Sequence, residues 1–223
     1  KNATQERTYI KANGEAWEHT SWWEWNYIIA LLKIMAKTED LQGAYGNGNM
    51  NGYVNDAAQH YGILTAGTLN DKGQFFGYNT NNQQVKVFHT EAMWGDQWER
   101  ICHMICDKGV VKVQPYGDGN FTGAGFETVL DYKDLGITAS ASGYMRDTVM
   151  TKAGRFAKTF NGSSSTYTCD YGSINPTIVS VPLVGGFCSA GLICGACVGL
   201  DASASGAGWY VAPGLSCKMP NAA

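Results

Sequence analysis

A nearly uncharged stretch close to the end of the chain most strongly limits what this protein can fold into. Residues 187–208 read FCSAGLICGACVGLDASASGAG and contain one charged residue, Asp201, among small, apolar and sulfur-bearing side chains. Glycine lowers helix stability and is typical of turns. The stretch therefore predicts short strands joined by turns. It leaves open a buried strand pair, a thiol or metal site, or a surface with exchangeable side chains.

The composition fits one large domain and argues against two classes of partner. The 223 residues are 44% hydrophobic and 12% aromatic, which is enough to bury a core. The net charge of −3 provides no basic surface for nucleic acid. The longest apolar stretch, residues 27–35, is interrupted by Lys33 and is too short to span a bilayer. We expect residues 1–20 to be a polar lead-in or linker and residues 21–223 to form the domain.

A first helix is predicted from a capping pattern and apolar spacing. Ser21 is a favourable N-cap, and Glu24 follows three residues later as in a capping box. Apolar residues then recur every three or four positions. We expect a helix of about four or five turns, ended by the glycines from Gly43 onward.

A second, shorter helix is predicted for the segment WGDQWERICHMICDKG. Trp94, Trp98, Ile101 and Ile105 have the spacing of one buried helix face, and Gly109 would be the C-cap.

Most of the remaining chain predicts short strands and ordered loops. β-Branched and aromatic residues favour strands in QVKVFHTEAMW, VVKVQPYGD, TIVSVPLVGGF, ICGACVGLD and GWYVAPGLSC. Residues 46–82 and 120–157 are rich in small and polar residues and are typical of irregular structure. Two main helices with short antiparallel strands and much ordered loop place the chain in the α+β class.

The cysteines and histidines provide little support for catalysis or metal binding. Cys194 and Cys197 match a CxxC motif, but their glycine-rich context predicts a strand and not the helix start of a redox motif. His103 and Cys106 would share a helix face and form half a metal site, with core packing as the alternative. Seven cysteines are an odd number for a disulfide framework, and we expect mostly reduced thiols. No catalytic residue, metal ligand or cofactor is predicted, and we do not expect an enzyme.

Two stretches resemble known protein families. The segment EAMWGDQWERICHMI resembles the Gly-Asn-Val-Trp-Glu-Trp box of the formylglycine-generating-enzyme branch of the C-type lectin fold, with Trp94, Gly95, Trp98 and Glu99 at matching places. The segments LVGGFCSAGLICGAC and ASASGAGWYVAPGLSC resemble the C-terminal region of variable proteins that are diversified by retroelements. The resemblance covers residues 91–217 and implies a C-type lectin-like fold.

The residue types of the C-terminal stretch agree with this kind of diversification. Such retroelements replace template adenines at random, so an Asn codon ending in C can become any codon ending in C. Codons ending in C do not encode Lys, Glu, Gln, Met or Trp, and residues 187–208 contain none of these five types. A buried strand pair would also avoid Lys and Glu, so this alternative stays open.

The resemblance implies a variable region at residues 184–217, held by a scaffold. The implied scaffold residues are Trp94, Gly95, Trp98, Gly185, Gly186 and Trp209. We expect Trp98 and Trp209 to lie in the core, with the exchangeable residues facing solvent. The implied ligand-binding residues are Phe187, Cys188, Ser189, Ala190, Leu192, Ile193, Asp201, Gly206, Gly208 and Tyr210.

The resemblance also implies a function in receptor binding. We expect a phage tail-tip protein or a surface adhesin, in the virion or on a cell surface, that recognises a host protein. A sugar is the less favoured ligand because no acidic calcium-and-sugar motif is present. Neither nucleic acid nor membrane insertion is expected, and the oligomeric state stays open, with a homotrimer as one option.

Two alternatives remain beside receptor binding. One is a structural tail or baseplate protein without a variable surface. The other is a copper oxidase of the formylglycine-generating type that uses Cys188 with Cys194 or Cys197. The family's cysteine pair is separated by four residues, whereas five lie between Cys188 and Cys194.

Overall fold

The computed structural model describes residues 1–80, 82–165 and 168–217, except for the side chain of Leu192. Its α-helices are α1 (Ala3–Lys11), α2 (Trp22–Ala36) and α3 (Leu41–Tyr45). Its 3-10 helices are Ala57–Gly62, Tyr132–Leu135 and Gly191–Ile193. Its strands are β1 (Trp17–His19), β2 (Lys86–Val87), β3 (Thr90–Glu91), β4 (Trp98–Arg100), β5 (Met104–Asp107), β6 (Val110–Val113), β7 (Glu127–Asp131), β8 (Ala141–Tyr144), β9 (Thr148–Thr151), β10 (Gly154–Ala157), β11 (Tyr171–Ile174), β12 (Val179–Val184), β13 (Val198–Ala202), β14 (Val211–Pro213) and β15 (Leu215–Cys217).

A mostly antiparallel sheet organises the domain around β12. The strand order is β7-β6-β5-β12-β13-β11-β8, and β14 joins through β4, which itself pairs with β12. The first half of β12 pairs with β5 and the second half with β4, while β13 lies on its other edge. Only the pairs β11–β13 and β4–β14 are parallel among the described strands. The apolar run of β12 is explained by this central position, because its side chains are covered on both faces.

Helix α2 confirms the first predicted helix. The Ser21 hydroxyl accepts a hydrogen bond from the Glu24 backbone N–H at 3.2 Å, and Glu24 Oε2 accepts one from the Ser21 N–H at 2.7 Å. The buried face carries Trp22 and Trp25, which are 1% and 2% exposed. The predicted end is wrong: α2 stops at Ala36, because Lys37 adopts a left-handed conformation with φ of 55° well before Gly43.

The second predicted helix is wrong, because its segment forms β4 and β5. Met104, Ile105 and Cys106 are all buried, so the strand is covered on both faces and its apolar spacing resembles that of a helix. His103 has a φ of 65°, which an α-helix does not tolerate. Gly109 lies in the tight turn between β5 and β6 and not at a helix end.

Two further segments differ from the predictions. QVKVFHTEAMW was expected to be one strand but folds into the hairpin β2–β3, because Phe88 and His89 have φ of 48° and 66° and form the turn. Residues 120–157 were expected to be irregular but contain β7 to β10. These short strands gain their hydrogen bonds from distant partners such as β6 and β11, which local composition does not reveal.

Residues 1–20 form α1 and β1. β1 pairs antiparallel with β15, and Glu6 on α1 is 4% exposed and contacts Arg100 on β4. The predicted lead-in therefore packs onto the sheet.

The α+β class is confirmed as a mixed fold that is mostly β with few helices. Within the described residues, no helix has the length and hydrophobicity required to cross a bilayer.

Candidate functional site

The C-terminal segment leaves the sheet after β12 and is held by backbone hydrogen bonds to two other loops. The Cys188 N–H donates to the Asp96 carbonyl at 2.9 Å, and the Cys188 carbonyl accepts from the Tyr53 N–H at 3.0 Å. The Gly191 N–H donates to the Met50 carbonyl at 2.8 Å. Because these bonds use main-chain atoms, they do not depend on the side chains of the segment.

Two scaffold glycines lie where the chain has no room for a side chain. Gly95 has a φ of 77°, and a Cβ added to it would lie 2.7 Å from the Asn49 nitrogen. Gly186 has a φ of 80°, and its added Cβ would lie 2.5 Å from Cys194 Sγ. Beside Gly95, the fully buried Trp94 donates its indole N–H to the Gly46 carbonyl at 2.9 Å. The residues beneath the C-terminal segment are therefore closely packed.

Six aromatic residues form a surface that we call the aromatic patch: Tyr53, Tyr61, Trp98, Phe187, Trp209 and Tyr210. Trp209 stacks with Tyr61 at 4.7 Å and with Tyr53 at 5.2 Å between ring centroids. Phe187 lies 5.7 Å from Tyr210 and 6.4 Å from Trp98. The patch thus joins four parts of the chain that are far apart in sequence.

Trp98 and Trp209 were expected in the core, and this prediction is wrong. Both are half-buried members of the aromatic patch. The parallel pairing of β4 with β14 explains their position, because it brings the two tryptophans to the same end of the sheet. The Trp98 N–H donates to the Tyr210 carbonyl at 2.8 Å, and the Gln97 side-chain amide donates to the Trp209 carbonyl.

Most of the positions predicted to bind ligand have some access to solvent. Ser189, Asp201 and Tyr210 are exposed. The half-buried ones are Phe187, Ala190, Ile193, Gly206 and Gly208.

Two of the predicted ligand-binding positions stand apart. Cys188 is fully buried, and its thiol points to the Tyr61 carbonyl at 3.6 Å, so its assignment to the surface is wrong. The Leu192 side chain lies outside the described residues. Gly206 has a structural contact as well, since its carbonyl accepts a hydrogen bond from Arg100 at 2.8 Å.

Sequence analysis missed Tyr53 and Tyr61, which belong to the predicted loop 46–82. The only signal available was that these are two of the five aromatic residues in a segment otherwise rich in Gly and Asn. Their positions depend on a turn in which His60 and Tyr61 both have positive φ, 50° and 56°. Spacing rules do not anticipate such a turn.

Two carboxyl groups lie next to the patch, the buried one of Asp96 and the half-buried one of Glu99. Asp96 is 6% exposed, and its Oδ1 accepts hydrogen bonds from the Asn49 side chain at 2.7 Å and the Leu64 N–H at 2.9 Å. Burial raises the pKa of Asp96. Burial also raises the pKa of Glu99 to about 8, so this side chain is mostly uncharged at neutral pH.

Burial disfavours the thiolate form of the cysteines near the site. Burial raises the pKa of Cys188 to about 11 and that of Cys194 to about 12, and it also raises the pKa of Cys197 well above its ordinary value. A thiolate is the reactive and ligating form of cysteine, and these values keep it scarce.

The predicted half-site of His103 and Cys106 does not form on a helix face. His103 Nδ1 lies 2.9 Å from Cys102 Sγ, and its Nε2 lies 3.0 Å from the Gly117 carbonyl. Cys106 is buried within β5. Over the described ranges, no group of three or more His, Cys, Asp and Glu residues is arranged to hold a metal ion.

No protein-family model matches this chain, and a search of curated proteins finds no match either.

Proposed function

We propose that this chain is a receptor-binding module with a C-type lectin-like fold, diversified by a retroelement and displayed at a phage tail tip or on a cell surface. The aromatic patch and the neighbouring exposed positions of the C-terminal segment form its binding surface. The partner is a protein on the host surface, and the module has no catalytic role of its own.

One observation carries this proposal: side chains that face solvent lie on a backbone that is fixed by other means. Main-chain bonds through Cys188 and Gly191 and the close packing at Gly186 hold the segment. Phe187, Ser189 and Tyr210 remain accessible. A surface of this kind can exchange side chains without losing its fold, since exposed substitutions usually change stability little.

The chemistry of the patch favours a protein partner. Aromatic residues are enriched among the side chains that contribute most to protein–protein binding, where they fill pockets of the partner. Tyr53 and Tyr210 are each 40% exposed and offer both a ring face and a hydroxyl. Val54 and Leu64, in the loop that carries Tyr53 and Tyr61, are also exposed apolar residues.

Two libraries displayed on cells or phage test the proposal. The first randomises, with codons ending in C, the accessible positions Phe187, Ser189, Ala190, Ile193, Asp201 and Tyr210. The control randomises the buried positions Val181, Leu183, Val184, Cys194, Ala196 and Cys197 in the same way. Both are sorted for folded protein, and the first is then selected for binding to several unrelated proteins.

We expect most members of the first library to fold and most members of the control to fail. Selection should then yield specific binders whose changes cluster around Phe187 and Tyr210. If most of the first library fails to fold, these side chains belong to a core and the proposal is wrong. If the library folds but yields no binder to any target, a structural tail protein is the better interpretation. A reverse transcriptase gene with an adenine-rich template copy beside this gene would support diversification independently.

A further inference from the structure

A cavity separate from the aromatic patch lies between α2, the hairpin β9–β10 and the strands β11 and β13. Its volume is about 360 Å³, within the range of small-molecule sites. None of the residues of the aromatic patch lines it. The cavity is therefore a site separate from the surface proposed to bind the receptor.

The inner walls of the cavity are apolar and aromatic. Trp22 and Phe156 stack at 5.2 Å with an angle of 16° between their rings, and Trp25 and Leu200 are each 2% exposed. The Trp22 indole N–H is already used, since it donates to the Ala153 carbonyl at 2.7 Å. These walls offer apolar surface to an occupant and little hydrogen bonding.

The mouth of the cavity carries four charges that neutralise one another. Lys33 Nζ lies 2.8 Å from both Glu39 Oε2 and Asp170 Oδ2. The Arg155 guanidinium donates two hydrogen bonds to the Glu39 carboxylate. A ligand with a net charge would find no free counter-charge here and would compete with existing ion pairs. The mouth thus favours an uncharged ligand.

One polar group of the lining lacks a partner. Tyr132 is 2% exposed and lines the cavity, and its hydroxyl makes no hydrogen bond within the described part of the chain. The oxygen of this hydroxyl keeps some contact with solvent, so an acceptor atom on an occupant would replace water at this donor.

We propose that this cavity binds an uncharged, mostly apolar small molecule that carries a hydrogen-bond acceptor for the Tyr132 hydroxyl. The apolar walls, the mutually neutralised charges at the mouth and the Tyr132 hydroxyl together define this ligand class. The site is independent of the receptor-binding surface, and neither proposal requires the other.

Two fluorescent probes of similar size test the ligand class on the whole chain. Prodan is uncharged and has a naphthalene body with one ketone acceptor, whereas anilinonaphthalene sulfonate is an anion. We expect saturable binding of prodan at one site and an affinity for the sulfonate at least about ten-fold weaker. Binding that does not saturate, or equal affinity for the two probes, would overturn the proposal.

Two exposed alanines provide a matched pair of variants that locate the site. Ala30 lies on α2 at the cavity, and Ala44 lies on α3 away from it. Ala30→Trp should block the cavity and lower the prodan affinity by at least about ten-fold, whereas Ala44→Trp should leave it unchanged. Equal effects of the two variants would place the probe elsewhere and refute the site.

Tyr132→Phe tests the hydrogen bond. The variant should lower the prodan affinity several-fold and shift the emission of the bound probe to the blue, because prodan emission responds to hydrogen bonding at its ketone. An unchanged emission spectrum would remove Tyr132 from the proposal. If this variant does not fold, the Ala30→Trp and Ala44→Trp comparison still decides whether the cavity is the site.

Discussion

Gly186, like Gly95, is a residue at which backbone conformation and space both exclude a side chain. An alanine there would adopt a φ of 80° and place its Cβ 2.5 Å from Cys194 Sγ. We expect Gly186→Ala to lower the free energy of unfolding by about 2–5 kcal/mol, combining left-handed strain with overpacking. A urea titration measures the loss.

Gly191 provides the matched control for Gly186. It also has a positive φ, 63°, but an added Cβ would meet no atom within 4 Å. Gly191→Ala should therefore show only the conformational part of the loss, about 1–2 kcal/mol. If both variants lose the same stability, close packing against Cys194 has no role at this position.

Glu99 should make the stability of the protein depend on pH near neutrality. Burial raises its pKa to about 8, against 4.5 for an ordinary glutamate. Between these values the folded protein keeps a proton that the unfolded chain has lost, so the free energy of unfolding falls as the pH rises from 4.5 to 8. Glu99→Gln should remove this part of the pH dependence. Above pH 8 the variant should be more stable than the wild type, by at most about 5 kcal/mol.

Urea titrations of wild type and Glu99→Gln over this pH range measure the effect. Glu15→Gln, at an exposed position, controls for the loss of a carboxylate as such. Wild-type and Glu99→Gln stabilities that run parallel across the range would show that Glu99 has an ordinary pKa.

At the scale of elements, the capping box at the start of α2 is a local signal whose contribution to the stability of the protein can be measured. Ser21→Ala removes the hydroxyl that accepts from the Glu24 N–H, and we expect a loss of about 1 kcal/mol in thermal or chemical unfolding. Ser140 is exposed and makes no hydrogen bond in the part of the structure described, so Ser140→Ala should change stability by less than about 0.5 kcal/mol. A Ser21→Ala loss as small as that of Ser140→Ala would mean that tertiary packing alone fixes the start of α2.

At the scale of the whole molecule, a buried ion pair joins the first helix to the sheet and to the C-terminal segment. Glu6 Oε2 lies 2.5 Å from Arg100 Nη1, and the two side chains are 4% and 1% exposed. Arg100 also donates to the Gly206 carbonyl. Glu6→Gln would leave a buried guanidinium without its counter-charge, and we expect a loss of about 3–5 kcal/mol in the free energy of unfolding.

The exposed pair of Lys152 and Glu127 is the control for this ion pair. Its atoms lie 2.7 Å apart, but its side chains are 59% and 45% exposed. Glu127→Gln should therefore change the stability by less than about 1 kcal/mol. If Glu6→Gln is equally mild, the N-terminal helix is not an integral part of the domain.

The sequence by itself determined the elements whose signals are local. Helix α2 follows from a capping box and a repeating apolar face within sixteen residues. The strands β6 and β12 follow from β-branched runs between turn residues. In each case the residues that decide the structure are neighbours in the chain, so propensity and periodicity predict it.

Only the tertiary structure decided the features that depend on distant partners. β4 and β5 are strands because β12 supplies hydrogen bonds to both. β5 is also covered on both faces, which removes the alternation that marks a strand. Trp209 lies at the surface because β14 pairs with β4 and because Tyr53 and Tyr61 stack against it. Cys188 is buried although its neighbour Ser189 is exposed. Cross-strand pairing and the covering of a face by a loop are non-local events, and no spacing along the chain encodes them.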